Sequence, residues 1–324
     1  RLGLACDHFA VFRVHRARLC HSLIHKSRRP VWKLFLVLAS IRFYGSECHT
    51  RVSALIQVHY MTTAVQQTIA TELREIYTSC QFCAPIRTRL PENDLAAAYA
   101  IQDLNTDHWL RAGRRLVGRK IGLTSKAVQD QLGVNQPDYG MLFADMCFAD
   151  GETIPYGSLQ QPKIEGEVAF VLGDAMDGDS LTIADVMAAV DYALPAFEVV
   201  GSRIKDWKIG IVDTIADNAS SGVFVLGTEA RKLNEFDLRL CGAVIEHKGE
   251  PVSTGAGAAC LGNPLNAALW LARKMVEVGR PLRSGDIVLS GALGPMVNVE
   301  PSDTFKLRIS GLGSVRAVFS GAPA

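Results

Sequence analysis

The stretch Lys163-Ile164-Glu165-Gly166-Glu167-Val168-Ala169-Phe170-Val171-Leu172 constrains this chain most. It sets two carboxylates two residues apart at the head of an apolar, β-branched run. Such a run reads as a strand, and on a strand positions i and i+2 share a face, so Glu165 and Glu167 are expected side by side. Two like charges beside a hydrophobic core resist ionising together unless something positive sits between them. A third carboxylate, Glu198, lies in another apolar run, Ala193-Leu194-Pro195-Ala196-Phe197-Glu198-Val199-Val200. Three oxygen ligands of this kind suit a hard divalent cation such as Mg²⁺ or Mn²⁺. Taken alone, the Glu-x-Glu pair reads more readily as a solvated strand face. The third glutamate and the motifs below turn the reading toward a ligand set.

The 324 residues are enough for a large core and one or two domains. The formal charge of +1 hides a split. Residues 1–60 carry ten Lys/Arg against two acids and hold six of the eight histidines, whereas 61–324 carry 24 basic and 31 acidic residues. A basic leader on an acidic body is not a nucleic-acid footprint, and the body shows no basic cluster interleaved with aromatics. Met61 opens Met61-Thr62-Thr63-Ala64-Val65, which reads like a start. Residues 1–60 are therefore expected to be a non-native or disordered basic extension, with an Arg-rich targeting leader as the competing reading. Their longest uncharged apolar run, Leu34–Ser40, is too short to span a membrane. Cys80-x-x-Cys83 has no second pair and no βαβ context, and the other cysteines are scattered, so a reducing cytoplasm is expected.

From Met61 the pattern is helical. Thr68–Tyr77 is amphipathic, and Asn93-Asp94 can cap a helix running toward Trp109. Beyond Gly118 short strand-like runs follow, among them Gly222–Leu226, Ala243–His247, Asp286–Leu289, Phe305–Ile309 and Val315–Phe319. Two helices interrupt them. One is expected over Ile183–Ala193, and the other begins at Asn263-Pro264 and continues through Leu265–Val278. With no alternating βαβ rhythm and no repeat, the expected class is α+β: a catalytic domain over 61–324, with a helical segment at 61–117 and a β-rich core at 118–324.

Two nucleotide motifs are near misses. Gly113-Arg-Arg-Leu-Val-Gly118-Arg119-Lys120 has phosphate-loop glycine spacing but neither the Lys nor the Ser/Thr in place, and Gly255-Ala-Gly257-Ala-Ala-Cys260 lacks the third glycine of the dinucleotide fingerprint. The body keeps only His108 and His247, which argues against a histidine triad or a histidine zinc site. What remains is Gly118-Arg119-Lys120-Ile121-Gly122, where glycines let backbone approach a ligand and Lys120 can stabilise an enolate or bind a carboxylate. Asp138, in Gln136-Pro137-Asp138-Tyr139-Gly140, is a general acid/base or an Asx-turn residue. Lys120 is equally readable as a solvated lysine, and Asp138, taken alone, more readily as a turn residue.

Together the stretches Gly118–Ser125, Gln129–Asp145, Pro162–Leu172, Leu194–Ile204, Asp213–Val225, Gly255–Met275 and Ser284–Met296 resemble the 2-keto-4-pentenoate hydratase family of the fumarylacetoacetase superfamily. The similarity covers essentially all of 61–324 and none of 1–60. It implies a fumarylacetoacetase-type β-roll and a divalent Mg²⁺ or Mn²⁺ held by Glu165, Glu167 and Glu198. It implies Lys120 and Asp138 as catalytic groups, Ser221 at the substrate pocket, and backbone contacts to the substrate carboxylate from the Ser290–Gly294 turn at Gly291 and Leu293. The implied reaction is hydration of the small-molecule 2-hydroxypenta-2,4-dienoate to 4-hydroxy-2-oxopentanoate, in a homo-oligomer able to associate with other pathway enzymes. The alternatives are a 2-oxohex-3-enedioate decarboxylase of the same family, an acylpyruvate hydrolase, and a non-catalytic partner subunit. No nucleic-acid or membrane partner is expected.

Overall fold

The computed structural model describes residues 62–322 except 127–128 and 131–133. The expectation for residues 1–60 lies outside the described residues. Helix α1 (Ala64–Ser79) opens with a capping box in which Thr63 Oγ1 accepts from the Gln66 amide and Gln66 Oε1 accepts from the Thr63 amide. Asp94 caps α2 (Leu95–Arg111), its carboxylate accepting from the Ala97 amide at 2.9 Å. Ile69 and Leu73 of α1, Ala98 and Ile101 of α2, and Val212 and Ile215 of a short later helix form a satellite core.

The main body is built on two sheets. The eight-stranded sheet has the order β2 (Asp138–Phe143), β1 (Leu116–Gly122), β10 (Ile287–Leu289), β5 (Lys163–Leu172), β6 (Val190–Val200), β7 (Ser221–Leu226) and β3 (Cys147–Ala149), with β11 (Val297–Asn298) also on β5. The five-stranded sheet runs β4 (Thr153–Ile154), β13 (Gly313–Phe319), β12 (Thr304–Ile309), β8 (Gly242–His247) and β9 (Glu250–Ala256). The expected α+β class, with a helical N-terminal segment and a β-rich core, is the one observed.

Gly166 shows how the sheets meet. A Cβ there would stand 2.7 Å from Leu307 Cδ1 of β12 and 3.6 Å from Ile245 Cγ1 of β8, so the glycine lets the second sheet close on β5 without displacing Leu307. Because side chains alternate along a strand, Glu165 and Glu167 project from the face opposite this packing. Ile164, Val168, Ala169 and Phe170 of β5 are wholly buried in the main core, and Val171 packs against it half-buried.

One element is shorter than its pattern implied. The helix expected over Ile183–Ala193 is α3 (Ile183–Ala189), and Val190–Ala193 opens β6 instead. β5 extends to Leu172 and needs an antiparallel partner there, so Val190, Tyr192 and Ala193 pair with Leu172, Val171 and Phe170. Tertiary pairing outweighs local helix preference at this boundary. Two further helices are α4 (Ile211–Ala216) and α5 (Pro264–Glu277). α5 begins as expected, with Asn263 Oδ1 accepting from the Leu265 amide and Pro264 in the first turn.

Candidate metal and active site

β5 and β6 pair antiparallel with Glu165 opposite Glu198. Opposed residues share a face, and Glu167 follows two places along β5, so the three side chains converge. One oxygen from each carboxylate lies within 4.8 Å of the other two. Among the described residues no other group of three acids, histidines or cysteines converges in this way. Glu167 and Glu198 are buried, at 0% and 1% exposure, and Glu165 is half-buried.

Three carboxyl groups in a dry site resist ionisation. Burial first, and then Glu198, push Glu165 up to about 7. Burial, Glu198 and Glu165 raise Glu167 well above the glutamate range. Glu198 is also raised by burial, although Lys120 opposes this. Lys120 is itself 3% exposed, and its Nζ lies 3.0 Å from Glu198 Oε1, an ion pair off the hydrogen-bonding direction. Burial pulls its ammonium down, but Glu198 and then Asp138, Glu165 and Glu167 outweigh that, and the net shift is upward.

The cluster's own polar atoms test whether a cation fits. Glu167 Oε1 and Glu198 Oε2 are buried and accept no hydrogen bond. Leaving such oxygens unsatisfied is unfavourable, and a divalent cation would satisfy them together. The all-oxygen donor set matches a hard ion rather than a thiolate- or imidazole-seeking one. Glu167 Oε2 is held separately, accepting from the Gly291 amide at 2.8 Å.

Asp138 enters from β2, opposite Gly122 of β1, while Lys120 pairs with Gly140. It is 1% exposed. Thr214 of α4 donates to its Oδ2 at 2.9 Å, and Oδ1 has no partner. A Cβ on Gly122 would lie 2.2 Å from Asp138 Oδ1 and 3.5 Å from Lys120 Nζ, so the missing side chain makes room for both groups. Burial raises the Asp138 carboxyl, moderated by Lys120 and the Thr214 hydroxyl. Asp138 is therefore built into a strand of the site, not left as an exposed turn residue.

The remaining expected residues sit differently. Ser221 is buried at the start of β7, where its hydroxyl donates to Asn218 O at 2.8 Å. It stands against Gly140, whose Cβ would be 2.7 Å from Ser221 Oγ, and it also borders a cavity lined by Arg203 and Trp109. The Gly291 and Leu293 amides are committed within the protein, to Glu167 Oε2 and to Gly166 O at 2.9 Å. An amide already paired in this way is not free to bind a substrate carboxylate. Direct contact through those two N–H groups therefore gives way to support of the glutamates. Thr214, 76 residues from Asp138, carried no local sign of its role, because its only signal is the tertiary contact itself.

The family model described as fumarylacetoacetate (FAA) hydrolase C-terminal matches residues 111–320. A Pseudomonas putida F1 protein named TodF product hydratase is 63% identical over 238 residues, covering 74% of this chain and 89% of that protein. A 2-keto-4-pentenoate hydratase of Paraburkholderia xenovorans is 54% identical over 259 residues, covering 80% and 96%. Among solved structures, 4-oxalocrotonate decarboxylase from Pseudomonas putida G7, complexed with magnesium and adipate, is 36% identical. It superposes with a TM-score of 0.75 over 79% of this chain and 97% of its own.

Proposed function

The chain belongs to the 2-keto-4-pentenoate hydratases of the fumarylacetoacetate hydrolase family, and from that premise we propose that it hydrates 2-hydroxypenta-2,4-dienoate, or a close homologue, to 4-hydroxy-2-oxopentanoate. The observation that carries this reading is the convergence of Glu165, Glu167 and Glu198 beside Lys120 and Asp138 in one buried site. The hydratase relatives are 63% and 54% identical, against 36% for the decarboxylase, which favours hydration over loss of CO₂.

Glu165, Glu167 and Glu198 would hold a divalent ion, Mg²⁺ or Mn²⁺ in this reading. When bound, it supplies Lewis-acid polarisation of the 2-oxo group. The dienol loses its 2-hydroxyl proton and gains one at C5, giving the conjugated 2-oxo-3-enoate, whose C4 is electrophilic. Water adds at C4, and C3 takes up a proton to complete the hydroxyketoacid. Asp138, with one oxygen held by Thr214 and the other unpartnered, moves the proton at Oδ1. Burial raises its carboxyl above the ordinary aspartate range, with Lys120 and Thr214 opposing, which favours the protonated form that an acid needs. Lys120 supplies fixed positive charge that offsets the enolate. Ser221 Oγ keeps acceptor capacity and borders the substrate beside Gly140.

The same reading places the enzyme in meta-cleavage breakdown of aromatic compounds, in the cytoplasm, as a homo-oligomer able to meet neighbouring pathway enzymes. The five described cysteines are all free thiols, which supports a reducing compartment. Among the described residues no helix is long and apolar enough to cross a membrane.

The test follows the ultraviolet absorbance of freshly generated 2-hydroxypenta-2,4-dienoate with Mg²⁺, Mn²⁺ or EDTA, identifying products by mass. Metal-dependent loss of absorbance with gain of one water is expected. No turnover there, with CO₂ released from 2-oxohex-3-enedioate, would transfer the protein to the decarboxylases.

A further inference from the structure

The Ser290–Gly291 peptide is held at both ends. Its N–H donates to Glu167 Oε2 at 2.8 Å. Its carbonyl, the Ser290 oxygen, accepts from the Cys260 thiol at 2.9 Å. A trans peptide is planar, so its C=O and N–H point in opposite directions and cannot turn independently. Whatever fixes the carbonyl also aims the amide at the glutamate.

The surroundings leave this peptide few other positions. Gly291 has φ +105°, and a Cβ on it would stand 2.3 Å from Thr124 Oγ1, so the turn closes directly over the Thr124 side chain. The Leu261 amide donates to Thr124 O at 3.0 Å, which ties the Cys260 segment to the same place. Cys260 and Ser290 are both wholly buried. Burial pushes the Cys260 thiol up to about 12, so it stays protonated and able to donate at neutral pH.

We propose that Cys260 is a positioning residue for the metal centre: through the Ser290–Gly291 peptide, its thiol holds Glu167 in the orientation that binds the cation. The inference rests on the reading of Glu165, Glu167 and Glu198 as ligands. Outer contacts of this kind typically alter metal affinity by about 10–100-fold when removed. Cys260→Ala deletes the donor and leaves a buried carbonyl unpaired, whereas Cys260→Ser keeps a donor at the same position.

Calorimetric titration of Mg²⁺ and of Mn²⁺ into the EDTA-stripped full chain tests this, alongside melting temperatures with and without each ion. The expected result is about tenfold weaker binding for Cys260→Ala, near-parental binding for Cys260→Ser, and a smaller metal-induced rise in melting temperature for the alanine variant only. A purely structural role would lower both melting temperatures together and leave the rise intact. If Cys260→Ala does not fold, Cys260→Val, which fills the space without a donor, is judged by the same criterion. Parental affinity in the donor-less variant overturns the inference, as does a serine variant as weak as the alanine one. A parent protein that binds neither ion overturns the ligand reading itself, and this inference with it.

Discussion

Glu165 and Glu198 stand directly opposite each other in the β5–β6 ladder, with Glu167 two residues away on the same face. Like charges opposed across a sheet are ordinarily destabilising. Their placement is intelligible as a ligand set, and it separates binding from folding. Glu165→Gln removes one charge without unpairing Lys120, which lies against Glu198. Metal-dependent turnover should be abolished, with melting in EDTA unchanged or higher. Comparable metal-dependent activity in Glu165→Gln and the parent would remove Glu165 from the ligand set.

The same crowding makes the metal-free protein less stable as pH rises toward neutrality. The Glu165 carboxyl is pushed from 4.5 to about 7 in the fold by burial and Glu198. Between those values the folded chain holds a proton that the unfolded chain has released, so stability falls as pH rises. On the proposed ligand assignment, metal binding would displace that proton and strengthen over the same window. Melting in EDTA should therefore drop between pH 5 and pH 7, while the rise produced by Mg²⁺ grows. An Mg²⁺-induced rise of equal size at both pH values would contradict this.

Thr214→Val keeps the shape of the side chain and removes the donor to Asp138 Oδ2. That hydrogen bond lowers the Asp138 carboxyl, so its loss should move the Asp138-dependent limb of the kcat profile toward higher pH. Metal affinity should change little. A profile superimposable on the parental one would leave Thr214 with no part in tuning Asp138.

Two glycines should fail in different ways. Gly122→Ala puts a methyl 2.2 Å from Asp138 Oδ1, so kcat should collapse through displacement of the acid, with metal affinity largely kept. Gly166→Ala drives a methyl into Leu307 on the other side of the sheet. Overpacking of that kind costs about 1–3 kcal/mol, seen as a lower melting temperature even in EDTA. Gly166→Ala melting like the parent would contradict the close sheet contact.

The carboxylate trio was legible because strand alternation places i and i+2 together whatever the rest of the fold does, and Glu198 carried the same apolar flanks. Lys120 and Asp138 became more than a surface lysine and a turn residue only through the family resemblance. Their surroundings are set by β1–β2 pairing, which local pattern does not specify. The helix expected to Ala193 stops at Ala189 because β5 claims the next residues as a partner. Gly291 lies 124 residues from Glu167, and its left-handed turn was visible only as a glycine between small residues. Support of this kind is a property of contacts, so residues such as Thr214 and Cys260 carry no signature in the chain alone.

The glutamates proposed to hold the ion come from one antiparallel pair, β5 with β6, and the groups proposed to supply charge and move the proton from another, β1 with β2, with β10 lying between them. Descent can therefore act on the two pairs separately. Substitutions along β1 and β2 can redirect how a bound ketoacid reacts while the anchoring pair is inherited unchanged. A lineage built this way can diversify its chemistry without first reinventing its grip on the substrate.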